Sequence, residues 1–442
     1  MIYDQPLTPQ QQKKSQMNYY GFNAINGVSY MCLGETIILL LAVRIQAPDY
    51  VISTLGAMLY FGYLLLPLGK VAASKRGGAY SQSFFWICRN IAAMAVAAAA
   101  LFSRAGMQTL AMLLLLAGAF FFYGFRAAGV VMSQPLIGEF TDEKSHGKVL
   151  AWSNGIFFLF RLVTLIIITL LIKANSSLWM LVSIIIFGAV CGITSSRFLK
   201  AIDETNELRK SASKPLRPEI NWSLHSKNMR GQLIAGFLIN FAYIMIIPIV
   251  TLAAKRGYDM SDSDVMLFTI SLSAGASIMS FAGNKISQAI GPRLHMMVTY
   301  ILFLLCGFVW MFMSDDKPYI MMNIIFFTLG TITVWSHNSA THYFLQTIHP
   351  THRVGGAILL AVISGVGSGV AGMIIAGLLL KMIPNFVSTP LAGYRIYFFI
   401  TALILLPGLQ IFRKLPKLPI EKRTLTPKQK IQKMLLNLIH NR

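Results

Sequence analysis

Residues 148–172 read KVLAWSNGIFFLFRLVTLIIITLLI, and this stretch decides the fold. Crossing the hydrocarbon of a bilayer takes about 20 mainly apolar residues at roughly 1.5 Å of helical rise each. Only Lys148 and Arg161 carry charge here. Lipid offers no water to an open backbone, so the stretch has to be a helix. Working outward, the sequence predicts twelve such spans: 19–43, 50–68, 82–103, 107–137, 148–172, 176–199, 231–254, 262–282, 293–313, 318–346, 355–380 and 393–412. They fall into two runs, 19–199 and 231–412, six spans in each, separated by a polar basic segment at 200–230. Six and six is the layout of a secondary transporter built from two similar halves.

Composition agrees. The chain has 442 residues, is 55% hydrophobic and 12% charged, and has a mean hydropathy of +0.61; a soluble protein would carry about 25% charged residues. A net charge of +22 would point a soluble chain toward nucleic acid. Here the placement of that charge argues against such a partner, because the basic residues crowd into alternate loops. With both termini inside, the cytoplasmic loops hold about 27 Lys and Arg and the outer loops about 8, the bias that sets membrane orientation. Lys13, Lys14, Lys70, Lys75, Arg76, Arg209, Lys210 and Arg353 fall inside; Arg44, Arg104, Lys173, Lys255, Arg256, Lys317, Lys381 and Arg395 fall outside. The expectation is a multi-pass protein of the plasma (inner) membrane with both termini cytoplasmic. The polar first eighteen residues read as a cytoplasmic tail rather than a secretory signal.

The linker, 200–230, contains Lys214, Pro215, Arg217 and Pro218 without apolar periodicity and reads as a mobile connector. The basic tail, 413–442, differs. Thr426-Pro427 suits a helix start, and Ile431, Met434, Leu435 and Leu438 recur at helical spacing among Lys428, Lys430 and Lys433. That pattern predicts an amphipathic helix on anionic inner-leaflet lipids, with a solvated basic tail as the alternative. Cys32, Cys88, Cys191 and Cys306 all lie in apolar spans without CxxC spacing, so neither a disulfide framework nor a zinc site is indicated.

The halves echo each other about 214 residues apart. Leu41-Ala42-Val43-Arg44 closes the first span and Leu252-Ala253-Ala254-Lys255 the seventh. Gly69 and Gly77 follow the second span; Gly283 and Gly291, equally spaced, follow the eighth. His146-Gly147 follows the fourth span, and Pro350-Thr351-His352-Arg353-Val354-Gly355 follows the tenth.

On these residues the chain resembles the major facilitator superfamily over nearly its whole length. The resemblance implies an all-α polytopic membrane protein with twelve transmembrane helices in two pseudo-symmetric six-helix bundles. It also implies that spans 1, 4, 7 and 10 line a central cavity while 3, 6, 9 and 12 stay outside. The family's basic glycine loops match Gly69-Lys70, Lys75-Arg76-Gly77, Gly283-Asn284-Lys285 and Gly291-Pro292-Arg293, so Gly69, Arg76, Gly77, Gly283, Gly291 and Arg293 become candidate gating residues. The family's usual acid is missing from the first loop, where Ala73 stands, with Ser287 in the second half. The charge-pair gate is therefore unsupported. Arg126-Ala127-Ala128-Gly129 looks like a reduced form of the family's Arg-x-x-Gln-Gly motif. The Gly-Pro motif of the family's drug antiporters is absent from span 5, which reads Asn154-Gly155-Ile156-Phe157.

Charges inside the hydrocarbon cost at least about 2.5–3.5 kcal/mol each and ask for a partner or a cavity. Four stand out: Glu35, Arg89, Arg126 and Arg161. Glu35 is the proton-coupling candidate, and its alternative role is a structural ion pair with Arg126 or Arg161. Asn23, Gly27, Tyr30 and Gly34 follow helical spacing in span 1, with Glu35 about 100° off that line. Asn26, Tyr30, Arg126 and Arg161 are the substrate-binding candidates of the first half. Arg89, near the inner end of a peripheral span, is expected to snorkel to the headgroups. In the second half Trp335, Asn338, His342 and Gln346 share a stripe of span 10, and Asn240 and Tyr243 form a smaller pair in span 7. Asn240, Tyr243, Trp335, Asn338 and His342 complete the substrate-binding set, against the alternative of hydrogen bonds between packed helices. Gly365, Gly367, Gly369 and Gly372 read as close helix contacts.

His337 and His342 sit about 140° apart on a helix, which disfavours a metal-dependent membrane enzyme. No catalytic residue, metal ligand or cofactor is expected, and no phosphate-binding GxxxxGK[ST] loop appears. The functional expectation is a secondary active transporter moving a small polar or anionic organic solute by alternating access. It is expected to act as a monomer coupled to protons or sodium. A drug/proton antiporter of the same fold is the alternative, followed by a non-transporting receptor.

Overall fold

The computed structural model describes residues 1–142, 145–175, 177–387 and 389–416. Its helices, in chain order, are α1 (Pro9–Cys32), α2 (Glu35–Arg44), α3 (Asp49–Phe61), α4 (Leu66–Arg76), α5 (Gly78–Arg104), α6 (Gln108–Val130), α7 (Ser133–Glu139), α8 (His146–Ala174) and α9 (Leu178–Lys200). After the linker helices α10 (Asn206–Ser213) and α11 (Leu216–His225) come α12 (Lys227–Leu252), α13 (Asp262–Ile290), α14 (Pro292–Val309), α15 (Tyr319–Thr347), α16 (Arg353–Leu360), α17 (Ser368–Met382), α18 (Pro390–Leu405) and α19 (Gly408–Lys414). The result is an all-α polytopic membrane protein. Among the described residues eleven helical stretches are long and apolar enough to cross a bilayer. The predicted second span is the twelfth crossing, and it is broken: α3 has 13 residues and α4 has 11, joined by one 3-10 turn at Gly62–Leu65. Pro67 explains the break, since proline lacks an amide donor and crowds the preceding turn.

Span 1 also departs from a single rod. Its helix begins at Pro9, well before the predicted Tyr19, because Thr8 and Gln11 form a reciprocal capping box with Pro9 in the first turn. It then breaks at Leu33-Gly34, and Gly34 opens α2. Two further irregularities lie in the second half, where π-helical turns occupy Ala253–Gly257 and Ala361–Gly367.

The sequence repeat is written into the backbone. Gly77 ends α4 and opens α5 at φ 91°, ψ 165°, and Gly291 does the same between α13 and α14 at φ 80°, ψ 154°. The Gly77 N–H donates to the Ala73 carbonyl (2.8 Å), and that of Gly291 donates to Ser287 (2.9 Å). A positive φ is cheap only for glycine, so each glycine fixes the same sharp corner in its half.

The chain divides into two compact units. One comprises Met1–Asp142, Ile156–Glu219 and His349–Ile358; the other holds α8 as far as Gly155, Ile220–Ile348 and the chain from Leu359 on. The first core is built of small residues. Ala99, Ala100, Ala111, Ala119 and Ala189 are fully buried around Val96, Leu115 and Ile185. The second is aromatic, with Phe268, Tyr300, Phe303, Trp310, Tyr397 and Phe398 buried together. Leu113, Leu170, Phe187, Ile324 and Ile374 are exposed, as lipid-facing positions must be.

The linker corrects an expectation. It is ordered in two helices and a two-residue strand, β2 (Glu204–Thr205), which pairs in parallel with β1 (Ile2–Tyr3). Leu208, Ser211 and Ala212 are buried at helical spacing in a helix of only 8 residues, too short for periodicity to reveal. Single polar contacts do the rest. Asp203 lies 3.1 Å from the Met1 amine and 3.5 Å from Lys14, and the Lys70 ammonium donates to the Ala212 carbonyl (2.8 Å) and to that of Lys214. The amphipathic helix expected at 426–438 lies outside the described residues.

Candidate functional site

The first unit gathers charge around one tyrosine. Gly27 on α1 makes this possible: a Cβ there would stand 2.5 Å from the Phe157 carbonyl and 3.3 Å from the Arg161 nitrogen of α8. The two backbones therefore touch, and the next turn of α1 sets Tyr30 against α8. Its ring is 5.5 Å from that of Phe157. The guanidinium carbons of Arg126 (α6) and Arg161 (α8) each lie 5.3 Å from the Tyr30 ring centre. Arg89 of α5 lies over Phe122, one turn of α6 before Arg126.

Arg89 does not snorkel. It is 1% exposed, with its guanidinium carbon 5.0 Å from the Trp86 ring and 5.1 Å from that of Phe122. The expectation failed because sequence gives depth along a span but not which face turns inward. Trp86, one turn before Arg89, is the signal that could have found it. Nε, Nη1 and Nη2 of Arg89 and Nε of Arg161 are buried without a hydrogen-bond partner among the described residues. Cation–π contact is worth about 2 kcal/mol when desolvated, less than the several kcal/mol per ion that burial costs. The side chain of Glu35 lies outside the described residues. Asn26 is committed locally, its Oδ1 accepting the Trp86 indole N–H at 3.0 Å.

The second unit's candidates are neutral and each of the buried ones makes at least one hydrogen bond, though Asn338 Nδ2 and His342 Nε2 remain without a partner among the described residues. The Asn240 amide donates to the Ser364 carbonyl (2.6 Å), inside the π-helical segment. Trp335 donates to the Met279 carbonyl (2.6 Å), and Asn154 donates to Asn338. His342 Nδ1 lies 3.2 Å from the Ser287 hydroxyl, and its ring centre is 6.1 Å from that of His146. Tyr243 is 38% exposed and His337 is exposed, away from this buried stripe. Of the span 11 glycines, Gly372 sits close to its neighbour, since a Cβ there would stand 2.9 Å from Ile244, whereas one at Gly367 would meet only ordinary contacts.

Among the gating candidates, Gly69 packs backbone to backbone, since a Cβ would come within 1.9 Å of the Ala128 carbonyl. Gly283 lies against Trp335. Arg76 donates to the Tyr80 hydroxyl (2.6 Å) and Arg293 to the Leu415 carbonyl (3.0 Å). Glu204, which sequence reasoning missed, brings an acid to the first loop from the linker. It accepts from the Gly78 and Ala79 N–H groups at 2.8 and 3.2 Å, at the N-terminus of α5. Burial pushes its carboxyl up to about 7, against the pull of those two amides, with nearby Glu139 adding to the rise. Glu219 was missed too; it binds His352 at 2.9 Å and Lys214 at 3.7 Å. Neither acid lies in a span: Glu204 is in β2 and Glu219 in α11.

A family profile described as Major Facilitator Superfamily matches residues 22–372. The fold is similar to that of a bacterial homologue of the iron transporter ferroportin in an outward-facing state, with a TM-score of 0.66, 13% identity, and 91% of this chain and 99% of that one covered. It is also similar to the proton:xylose symporter XylE bound to 6-bromo-6-deoxy-D-glucose, with a TM-score of 0.61, 14% identity, and 92% and 96% covered. At these identities the likeness concerns fold alone. No curated protein matches the sequence.

Proposed function

Because the chain belongs to the Major Facilitator Superfamily, we propose that it is a secondary active transporter of a small anionic organic solute. The observation that carries this reading is the Tyr30 cluster, in which Arg126 and Arg161 face one ring and buried guanidinium nitrogens lack acceptors. An anion supplies what they lack, since charge-assisted bonds to carboxylate or phosphate are about twice as strong as neutral ones. Tyr30 adds a hydroxyl and an aromatic wall.

Transport proceeds by alternating access, in a plasma (inner) membrane with both termini cytoplasmic. Glu35, at the break between α1 and α2, carries the coupling proton. Asn240 and Trp335 contribute packing more than binding, because their donors are used within the unit, whereas Asn338 and His342 each keep one nitrogen, unpartnered among the described residues, that a solute could use.

Uptake into proteoliposomes across a panel of small anionic, neutral and cationic solutes tests the reading. Saturable uptake of anions supports it, and uptake confined to cationic drugs overturns it. Glu35→Gln is expected to keep exchange while losing pH-driven accumulation; undiminished uphill transport removes Glu35 from the coupling role.

A further inference from the structure

We propose that Arg89 is a third positive charge of the solute site, set behind Arg126 and Arg161, and that the solute is accordingly a dianion. This rests on the anion-transport reading and narrows it. A dianion here means a phosphate monoester or a dicarboxylate, the two common organic groups that carry two negative charges near neutral pH.

The argument begins with what surrounds Arg89. Two aromatic rings cover the guanidinium, Trp86 at 5.0 Å and Phe122 at 5.1 Å. Rings attract a cation but accept none of the five in-plane N–H bonds that a guanidinium offers. The Trp86 indole edge is already committed, donating to Asn26 at 3.0 Å. All three Arg89 nitrogens remain without an acceptor among the described residues, in a side chain only 1% exposed. An arginine kept solely for packing would be expected to reach a carbonyl or carboxylate, as buried polar groups nearly always do.

The second step is the field. Arg126 and Arg161 face the Tyr30 ring at 5.3 Å each, and Arg89 stands one turn away on both sides: it lies over Phe122, four residues before Arg126 on α6, and over Trp86, which is bonded to Asn26, four residues before Tyr30 on α1. Like charges held together in a low-dielectric setting repel. One monoanion leaves two of the three charges uncompensated; a dianion leaves one. Since the attraction of Arg89 for a solute scales with solute charge, its removal costs a dianion twice the free energy that it costs a monoanion of similar shape. Fold-losses in affinity are then related as a square.

The experiment measures binding to the purified full-length carrier. It uses glycerol 3-phosphate as the phosphate ester, succinate as the dicarboxylate and butyrate as the size-matched monoanion. Wild type is expected to bind at least one of the two dianions about ten-fold more tightly than butyrate, and the tighter of them identifies the solute group. Arg89→Gln is expected to weaken that dianion about ten-fold and butyrate about three-fold, the square relation expected when attraction scales with charge. Arg89→Lys, which keeps the charge, is expected to keep the preference, so the test survives if the glutamine variant does not fold. Equal binding of butyrate and both dianions by wild type overturns the proposal, as does a preference unchanged in Arg89→Gln or lost in Arg89→Lys. If butyrate binds and is lost in Arg126→Gln while Arg89→Gln changes nothing, the dianion inference fails and the anion reading stands. If no anion binds at all, both fail.

Discussion

The polar residues of the two units differ in charge. In the first, Arg126 and Arg161 face the Tyr30 ring, Arg89 lies against Phe122 one turn of α6 before Arg126, and several guanidinium nitrogens find no acceptor among the described residues. In the second, Asn240, Trp335 and Asn154 donate to Ser364, Met279 and Asn338, while Asn338 Nδ2 and His342 Nε2 keep no partner among the described residues. A buried donor without a partner costs about 1–3 kcal/mol, and more when charged, so the first arrangement is the costlier of the two. The second is the glue expected between transmembrane helices, where such bonds average about 0.6 kcal/mol. Span 10 was the richest polar stretch in the sequence, yet the guanidiniums that face Tyr30 lie in spans 4 and 5.

The largest expected effect tests that contrast. Arg126→Gln should lower the initial rate of anion uptake about 100-fold, the range for losing a hydrogen bond to a charged group. Asn240→Ala should lower it by no more than a few-fold. Comparable losses in both would erase the distinction. Next comes the contact that assembles the cluster. Gly27→Ala drives a Cβ to 2.5 Å from the Phe157 carbonyl, a backbone atom that cannot swing away. About 2 kcal/mol of stability should be lost, in the overpacking range, seen as a lower melting temperature. Gly372→Ala meets side-chain atoms alone, Ile244 Cγ2 at 2.9 Å and Cβ at 3.2 Å, and should cost less than a clash with backbone.

A pH effect follows from Glu204, whose carboxyl burial lifts from the ordinary 4.5 to about 7. The folded state then holds this proton more tightly than the unfolded chain. The group's contribution is present in full below about pH 4.5 and is lost as pH rises through about 7. Melting curves at a series of pH values should show wild type losing stability across that window, and Glu204→Gln should flatten the loss. A steeper fall in the variant would contradict the assignment. The smallest effect belongs to Trp335→Phe, which removes one bond to Met279 at a cost of about 1 kcal/mol with uptake retained.

Much of the fold was legible in the sequence because lipid imposes one rule on every span. The repeat was legible as well, since Gly77 and Gly291 sit at corners that only glycine turns easily. What escaped was decided by contacts rather than by composition. The breaks at Leu33-Gly34 and Gly62–Leu65 do not alter hydropathy, so they leave no trace in an apolar profile. The linker is ordered by Asp203, Glu204 and Glu219 meeting partners far away in the chain, which no local pattern encodes. Arg126 and Arg161 were singled out by the cost of burying charge and Tyr30 by the polar line of span 1, and the three lie together. Arg89 was misread because its neighbours, not its depth, determine its role.

Melting the double variant Arg126→Gln with Arg161→Gln, with and without saturating anion, tests the central claim most directly. Wild type should gain stability with the anion, as any ligand preferring the folded state requires. The ligand-free variant should melt at or above the wild-type temperature, because two buried charges have been removed, and anion should no longer shift it. An undiminished anion-dependent shift would contradict the account, and so would collapse of the ligand-free variant, since the arginines would then be holding the fold rather than the solute.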